Sequence, residues 1–163
     1  MEVTFAPKGI LQIDNARIIY RNFTGAASKF NREGDRNFAV LIDDQEVADA
    51  LIENGWNVKI KPPREEGDAP FMYLPVKVKY SGYGPVAYLK TGNRVNKLDE
   101  DGIFCLDDIE IESADLDIRP YDWEFNGKQG RTAYLQSINV VQRVDRFAAR
   151  YKEEAAADEE SPW

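Results

Sequence analysis

The sequence predicts a mainly β protein: a small antiparallel barrel with one internal helix, a C-terminal helix and a disordered acidic tail. Three observations predict it. Short runs of alternating apolar and polar residues recur along most of the 163 residues, the pattern of strands with one wet face. Turn chemistry separates these runs, with no regular strand–helix rhythm to suggest βαβ units. The last eleven residues, Glu153–Trp163, hold five carboxylates and no base, so they stay solvated instead of building a core. The chain thus divides into one domain over residues 1–152 and a flexible tail over 153–163.

Ile13–Phe23 is rich in β-branched and aromatic residues and reads as the first strand. A polar stretch to Asp35 follows, broken by Gly25, Asn31 and Gly34, and reads as a mobile loop. Arg36–Ile42 is the second strand. Asp43-Asp-Gln-Glu46 then offers a helix cap with a glutamate three positions on, ahead of the apolar stripe Val47, Ala48, Leu51 and Ile52. Asn54-Gly55 ends that helix. Trp56–Lys61 alternates again, with Trp56, Val58 and Ile60 on one face and Asn57, Lys59 and Lys61 on the other. Phe71–Tyr80 places Met72, Leu74, Val76 and Val78 against Phe71, Tyr73, Lys77 and Lys79, and Val86–Thr91 continues the pattern.

The acidic block Asp99–Asp117 includes Ile103, Phe104, Leu106 and Ile109, so it is expected to be ordered. Leu116–Phe125 and Arg131–Val141 flank Asn126-Gly-Lys-Gln-Gly130, a strong hairpin signal. Val144, Phe147, Ala148 and Tyr151 are spaced for one face of a terminal helix. Six or more short strands with a helix in the middle and one at the end fit an OB-fold-like barrel; a β-sandwich is the alternative.

Composition removes several function classes. There is no histidine and one cysteine, Cys105, so neither a zinc site nor a Ser/Cys–His pair can be assembled. A lone thiol excludes an internal disulfide and fits a reducing compartment. No apolar run approaches the roughly 20 residues that span a bilayer, and no signal-peptide core opens the chain. The expectation is a soluble protein with no membrane partner and no cofactor. Asp107, Asp108, Glu110 and Glu112 could hold Mg²⁺, but no lysine accompanies them within their block. Tyr80-Ser-Gly-Tyr-Gly-Pro85 lacks the Lys-Ser/Thr of a phosphate loop. An enzyme is not expected.

The net charge of −8 is unevenly spread. Arg17–Arg36 carries five bases against two acids, Lys59–Lys97 eight against three, and Arg119–Lys152 seven against three. Screening confines each charge to about 8–10 Å, so an acidic protein can still present a basic face. Aromatic residues interleave with these cations, and single-strand binding needs both: rings that stack on bases and cations along the backbone. The candidate contacts are Arg17, Arg21, Lys29, Phe30, Arg32 and Arg36; then Lys59, Lys61, Tyr73, Lys77 and Lys79; then Arg119, Tyr121, Trp123 and Arg131. Tyr20, Phe23, Tyr80, Tyr83, Tyr88, Lys90 and Phe125 belong to the same interleaved pattern. The rival reading is an acidic interaction or DNA-mimic protein, which would have no use for such interleaving.

Four segments carry a family resemblance. Ile13-Asp-Asn-Ala-Arg-Ile-Ile-Tyr-Arg-Asn-Phe23, Phe30-Asn-Arg-Glu-Gly-Asp-Arg-Asn-Phe38, Asn54-Gly-Trp-Asn-Val-Lys59 and Asp117-Ile-Arg-Pro-Tyr-Asp-Trp-Glu-Phe-Asn-Gly127 resemble segments of bacteriophage single-stranded DNA-binding proteins with an OB-fold. The resemblance runs from about Ile13 to Val141. It implies a non-enzymatic protein that coats single-stranded DNA in replication or recombination, in the cytoplasm of a bacterial host. The tail is similar to the acidic, aromatic-tipped ends of bacterial and phage single-strand binders. That implies replication or recombination proteins as partners, with Trp163 as the hook, although the common bacterial ending places phenylalanine after an Asp-Ile-Pro run. A homodimer is compatible with the sequence, which does not fix the oligomeric state.

Overall fold

The computed structural model describes residues 1–82 and 84–147. Ten strands make one hydrogen-bonded sheet: β1 (Glu2–Phe5), β2 (Leu11–Asp14), β3 (Ile18–Asn22), β4 (Arg36–Ile42), β5 (Lys59–Lys61), β6 (Phe71–Val78), β7 (Val86–Thr91), β8 (Arg94–Leu98), β9 (Ile111–Phe125) and β10 (Lys128–Gln142). Among the described residues one complete α-helix, α1 (Gln45–Glu53), follows β4. Alternation explains the strands: β6 buries Met72, Leu74, Val76 and Val78 and turns Phe71, Tyr73 and Lys77 outward. β9 and β10 are joined by Asn126-Gly127, whose φ values of 51° and 76° suit residues that tolerate the left-handed region.

The backbone of the sheet runs β1-β2-β9-β10-β6-β4-β3, with β5 added to β6 and the β7–β8 hairpin added to β10. The strand expected over Ile13–Phe23 is bent into β2 and β3 around Asn15, which has φ 53°. Asp115 fixes the bend by accepting from Asn15 N at 2.8 Å. At the bend Ala16 N donates to Ala114 O (2.7 Å) and Arg17 O accepts from Leu41 N (2.9 Å). β2 therefore pairs with β9 while β3 pairs with β4.

Two pairings correct the expectation of a wholly antiparallel barrel. β10 runs parallel to β6, with Tyr134 opposite Lys77, and parallel to β7 over Ser137–Val141. The alternation of a strand is blind to its neighbour's direction, which long-range connections decide. β1 and β8 lie where the pattern gives no strand, and the strand expected over Trp56–Lys61 shrinks to Lys59–Lys61, because the amides of Trp56 and Val58 donate locally to Leu51 O and Trp56 O instead of to a neighbouring strand.

The core is continuous and lined by β2, β4, β6, β9 and β10. Phe23 and Phe38 are its largest fully buried side chains, their rings stacked with centroids 5.1 Å apart. Asp44 caps α1 by accepting from Glu46 N, and Ala48 and Leu51 face inward. The acidic block is ordered, as expected. Arg21 donates to the carbonyls of Leu106 and Ile109, both at 2.7 Å. Asp107 accepts from Phe23 N, Thr24 N and Thr24 Oγ1. The terminal helix expected through Tyr151 lies from residue 148 onward outside the described residues, as do the tail, Trp163 and Tyr83.

Candidate nucleic-acid interface

Directly opposed residues of paired strands share a face, so register defines the outer surface of the sheet. Lys59 and Lys61 of β5 oppose Tyr73 and Phe71 of β6. Asn37 of β4 and Tyr134 of β10 both oppose Lys77, and Arg119 of β9 opposes Tyr134. Lys59, Lys61, Tyr73, Lys77, Tyr134 and Arg119 are thereby assembled on one face from four strands. A groove of about 670 Å³ runs across it, with Tyr20, Tyr73, Lys77, Lys79, Tyr80 and Tyr134 among its walls.

The rings form two clusters, each with a cation. Tyr20 meets Phe71 and Tyr73 edge-on, at 6.2 and 5.7 Å between centroids. Lys61 Nζ stands 5.9 Å from the Tyr20 ring and 5.6 Å from Tyr73. Tyr20 is 58% exposed and has φ 52°, rare for a bulky side chain, at the irregularity where β3 loses register with β4. Strain of that kind collects at working sites. In the second cluster Arg119 covers the Tyr134 ring at 4.9 Å, and Tyr121 meets Tyr134 edge-on at 6.1 Å.

Arg36 and Lys79 line the groove beyond Lys77. Arg36 lies over the Tyr80 ring at 5.1 Å and pairs with Glu100 at 3.4 Å. The Tyr80 hydroxyl is buried without a partner among the described residues, and burial pushes its pKa up against the pull of Arg36. Glu100 is an acid in the wall of a basic groove, and composition gave no hint of it.

The loop between β3 and β4 forms the rim. It is folded on itself: Asn31 Nδ2 donates to the carbonyls of Ala26, Arg32 and Asp35, and Gly34 N donates to Gly25 O. Gly25, at φ 75°, has the Gly34 backbone 3.2 Å from where a Cβ would sit, so the close approach depends on glycine. The loop presents Phe30, 92% exposed, with Lys29 5.7 Å from its ring. Arg32 is also exposed, beside Asp35 at 3.5 Å.

The other candidates are placed elsewhere. Phe23 is core. Arg21 is committed to the carbonyls after β8, and Arg17 lines a separate pocket with Arg21 and Asp43. Arg131 faces away from Tyr134: it pairs with Asp122 at 2.7 Å, donates to Asn54 O and covers the Trp56 ring at 5.1 Å. Its hydrogen bond holds the Asp122 carboxyl below its ordinary pKa. Arg21 and Arg131 thus serve the fold. Trp123 and Phe125 follow Tyr121 along β9 toward the end of the β9–β10 hairpin, both exposed, and a Cβ at Gly130 would overlap the Trp123 indole. Among the described residues no group of three or more acids or thiols is placed to hold a metal, and no helix is long and apolar enough to cross a membrane.

No curated protein sequence matches this chain significantly. Solved structures share its fold at low identity. The single-stranded DNA-binding protein from bacteriophage Enc34 is similar with a TM-score of 0.54 and 14% identity, over 91% of this chain and 93% of that one. The same phage protein in complex with ssDNA gives a TM-score of 0.52 at 16% identity, over 89% and 93% of the two chains. Its C-terminal truncation gives 0.52 at 17% identity, over 86% and 90%. Residues 2–161 match the family model described as "Putative phage ssDNA-binding domain", and the chain belongs to that family of phage single-stranded DNA-binding proteins.

Proposed function

We propose that the strand lies in the groove between β4, β6 and β10 and is held without reading its sequence, so that the protein coats exposed DNA during phage replication or recombination in the host cytoplasm. One observation carries this reading: on the face that joins Tyr73 to Lys77 and Tyr134, rings and cations alternate, and both chemistries tolerate any base. The architecture we read as an OB-fold. Its support is the circuit of bent β2–β3, β4, β6, β10 and β9, joined at the bend by the Ala16–Ala114 and Arg17–Leu41 hydrogen bonds. The test is a titration with labelled oligo-dT and a mixed-sequence oligomer at several salt concentrations. Lys77→Ala weakens binding to both equally and flattens the log–log salt slope by about 0.7, one phosphate contact on a single strand. Sequence-dependent losses would remove Lys77 from the backbone track.

Glu100 modulates this groove. With Glu100 on Arg36, a phosphate can take Arg36 only by displacing a carboxylate, so in the parent this contact is not made. Glu100→Gln leaves Arg36 to the salt, so binding tightens at low salt and the slope steepens by about 0.7. An unchanged slope would show that the ion pair, exposed on its acidic side, does not compete with DNA.

The tail acts on the same groove by charge. Five carboxylates tethered to the domain raise the local anion concentration and compete with phosphate, and salt screens the competition. Removing Glu153–Trp163 tightens oligo-dT binding at low salt and matters less at high salt. Equal low-salt affinities would end the competition model. Trp163 is assigned to capture of a replication or recombination protein.

A further inference from the structure

The β7–β8 hairpin repeats the chemistry of the groove outside it. Residues 86–98 hold Lys90, Arg94 and Lys97 and no acid, in a chain of net charge −8. Five parallel pairs join β7 to β10, and β8 closes the hairpin through the Gly92 turn. Register fixes the orientation. Asn139 of β10 opposes Tyr88, and Tyr88 opposes Lys97, so these three share a face, with Lys90 two residues along β7. Their neighbours Ala87 and Leu89 are buried, which turns Tyr88 and Lys90 outward.

Tyr134 lies on the same outer side of β10. Ala133 and Leu135 point inward before the irregularity at Gln136, and Ile138 and Val140 point inward after it, which leaves Tyr134 and Asn139 outward. The two positions are roughly 15 Å apart along the strand. Tyr88 is 40% exposed, and among the described residues its ring pairs with no other ring and lies under no cation. Lys90, Arg94 and Lys97 are exposed and form no ion pair there. Across β10, Asp115 and Asp117 of β9 border the same surface and repel phosphate from that side. A strand that leaves Lys77 and Tyr134 is thereby directed toward the hairpin.

From this juxtaposition we infer a second single-stranded DNA subsite on the β7–β8 hairpin, with Tyr88 as its base-stacking platform and Lys90 and Lys97 as its phosphate contacts. It rests on the proposed groove and lengthens the footprint beyond it. A bound strand therefore meets two stacking stations on one sheet face.

The experiment is a length series of labelled oligo-dT against the full chain and the variants Tyr88→Ala, Tyr88→Phe and K90Q/K97Q. For oligomers short enough to occupy the groove alone, all variants match the parent. For longer oligomers the parent gains affinity, Tyr88→Ala loses about 5- to 150-fold and Tyr88→Phe retains the gain. K90Q/K97Q flattens the long-oligomer salt slope by about 1.4, two phosphate contacts. These side chains are exposed, so the thermal midpoint is expected to hold; if Tyr88→Ala melts early, the salt slope of K90Q/K97Q carries the test. Indistinguishable affinities at every length would overturn the subsite. So would K90Q/K97Q that binds DNA normally but loses a peptide of residues 153–163, which would give the hairpin to the acidic tail. If the parent itself fails to bind oligo-dT, the groove reading falls, a different outcome from loss confined to long oligomers.

Discussion

Tyr73→Ala weakens binding to oligo-dT by about 1–3 kcal/mol, the value of one base stacked on an aromatic ring. Tyr73 lines the groove on the same strand as Lys77. Tyr73 lies 5.7 Å from both Tyr20 and Phe71 and 5.6 Å from Lys61 Nζ. Its removal takes away the platform and leaves the Tyr20 edge unsupported. The side chain points away from the core, between the buried Met72 and Leu74, so the denaturant midpoint moves little. Tyr73→Phe keeps a ring of the same shape and binds like the parent. Fluorescence anisotropy at fixed salt reads the difference, and an alanine variant within twofold of the parent would take Tyr73 off the DNA path.

Phe38→Ala has the opposite profile: about 3–5 kcal/mol less stable, with the folded fraction binding DNA normally. Phe38 is 2% exposed and stacks on Phe23 at an interplanar angle of 22°. Truncation leaves a cavity that the two rigid neighbours, β3 and β6, cannot close. Against a domain stability of about 5–15 kcal/mol, that loss is a large part of the total. Urea unfolding checks it: the midpoint falls with the slope unchanged. A loss below about 1 kcal/mol would mean that the stacked pair does not hold the core together.

Much of the local structure was legible. Arg36–Ile42 is a strand with the bounds its pattern implied, and β6 buries the residues that alternation selected. The helix ends at Asn54-Gly55 as expected, although its cap is Asp44 and not Asp43, the residue three before Glu46. These features depend on neighbours a few residues apart. Part of the site is also legible in the sequence. Counting back from the Asn126-Gly127 turn pairs Arg119 with Tyr134 and Asp122 with Arg131, as the sheet does. That register identifies Tyr134 as a groove residue and gives Arg131 a carboxylate partner on the other face.

The sequence by itself determined the strand faces, the helix, the hairpin and the clustering of cations with rings in a chain of net negative charge, because these follow from side-chain period, capping and composition. The resemblance of its segments pointed to the family that the comparison then gave. Only the tertiary structure decided which cations are free and which are structural. Arg21 and Lys77 look alike in sequence, yet one holds the carbonyls of Leu106 and Ile109 while the other lines the groove. The parallel register that sets Tyr134 beside Lys77, the bend at Asn15 and the position of Glu100 on Arg36 are likewise tertiary. Each joins residues far apart in the chain, and no local periodicity encodes which distant strand or loop will arrive at a given edge.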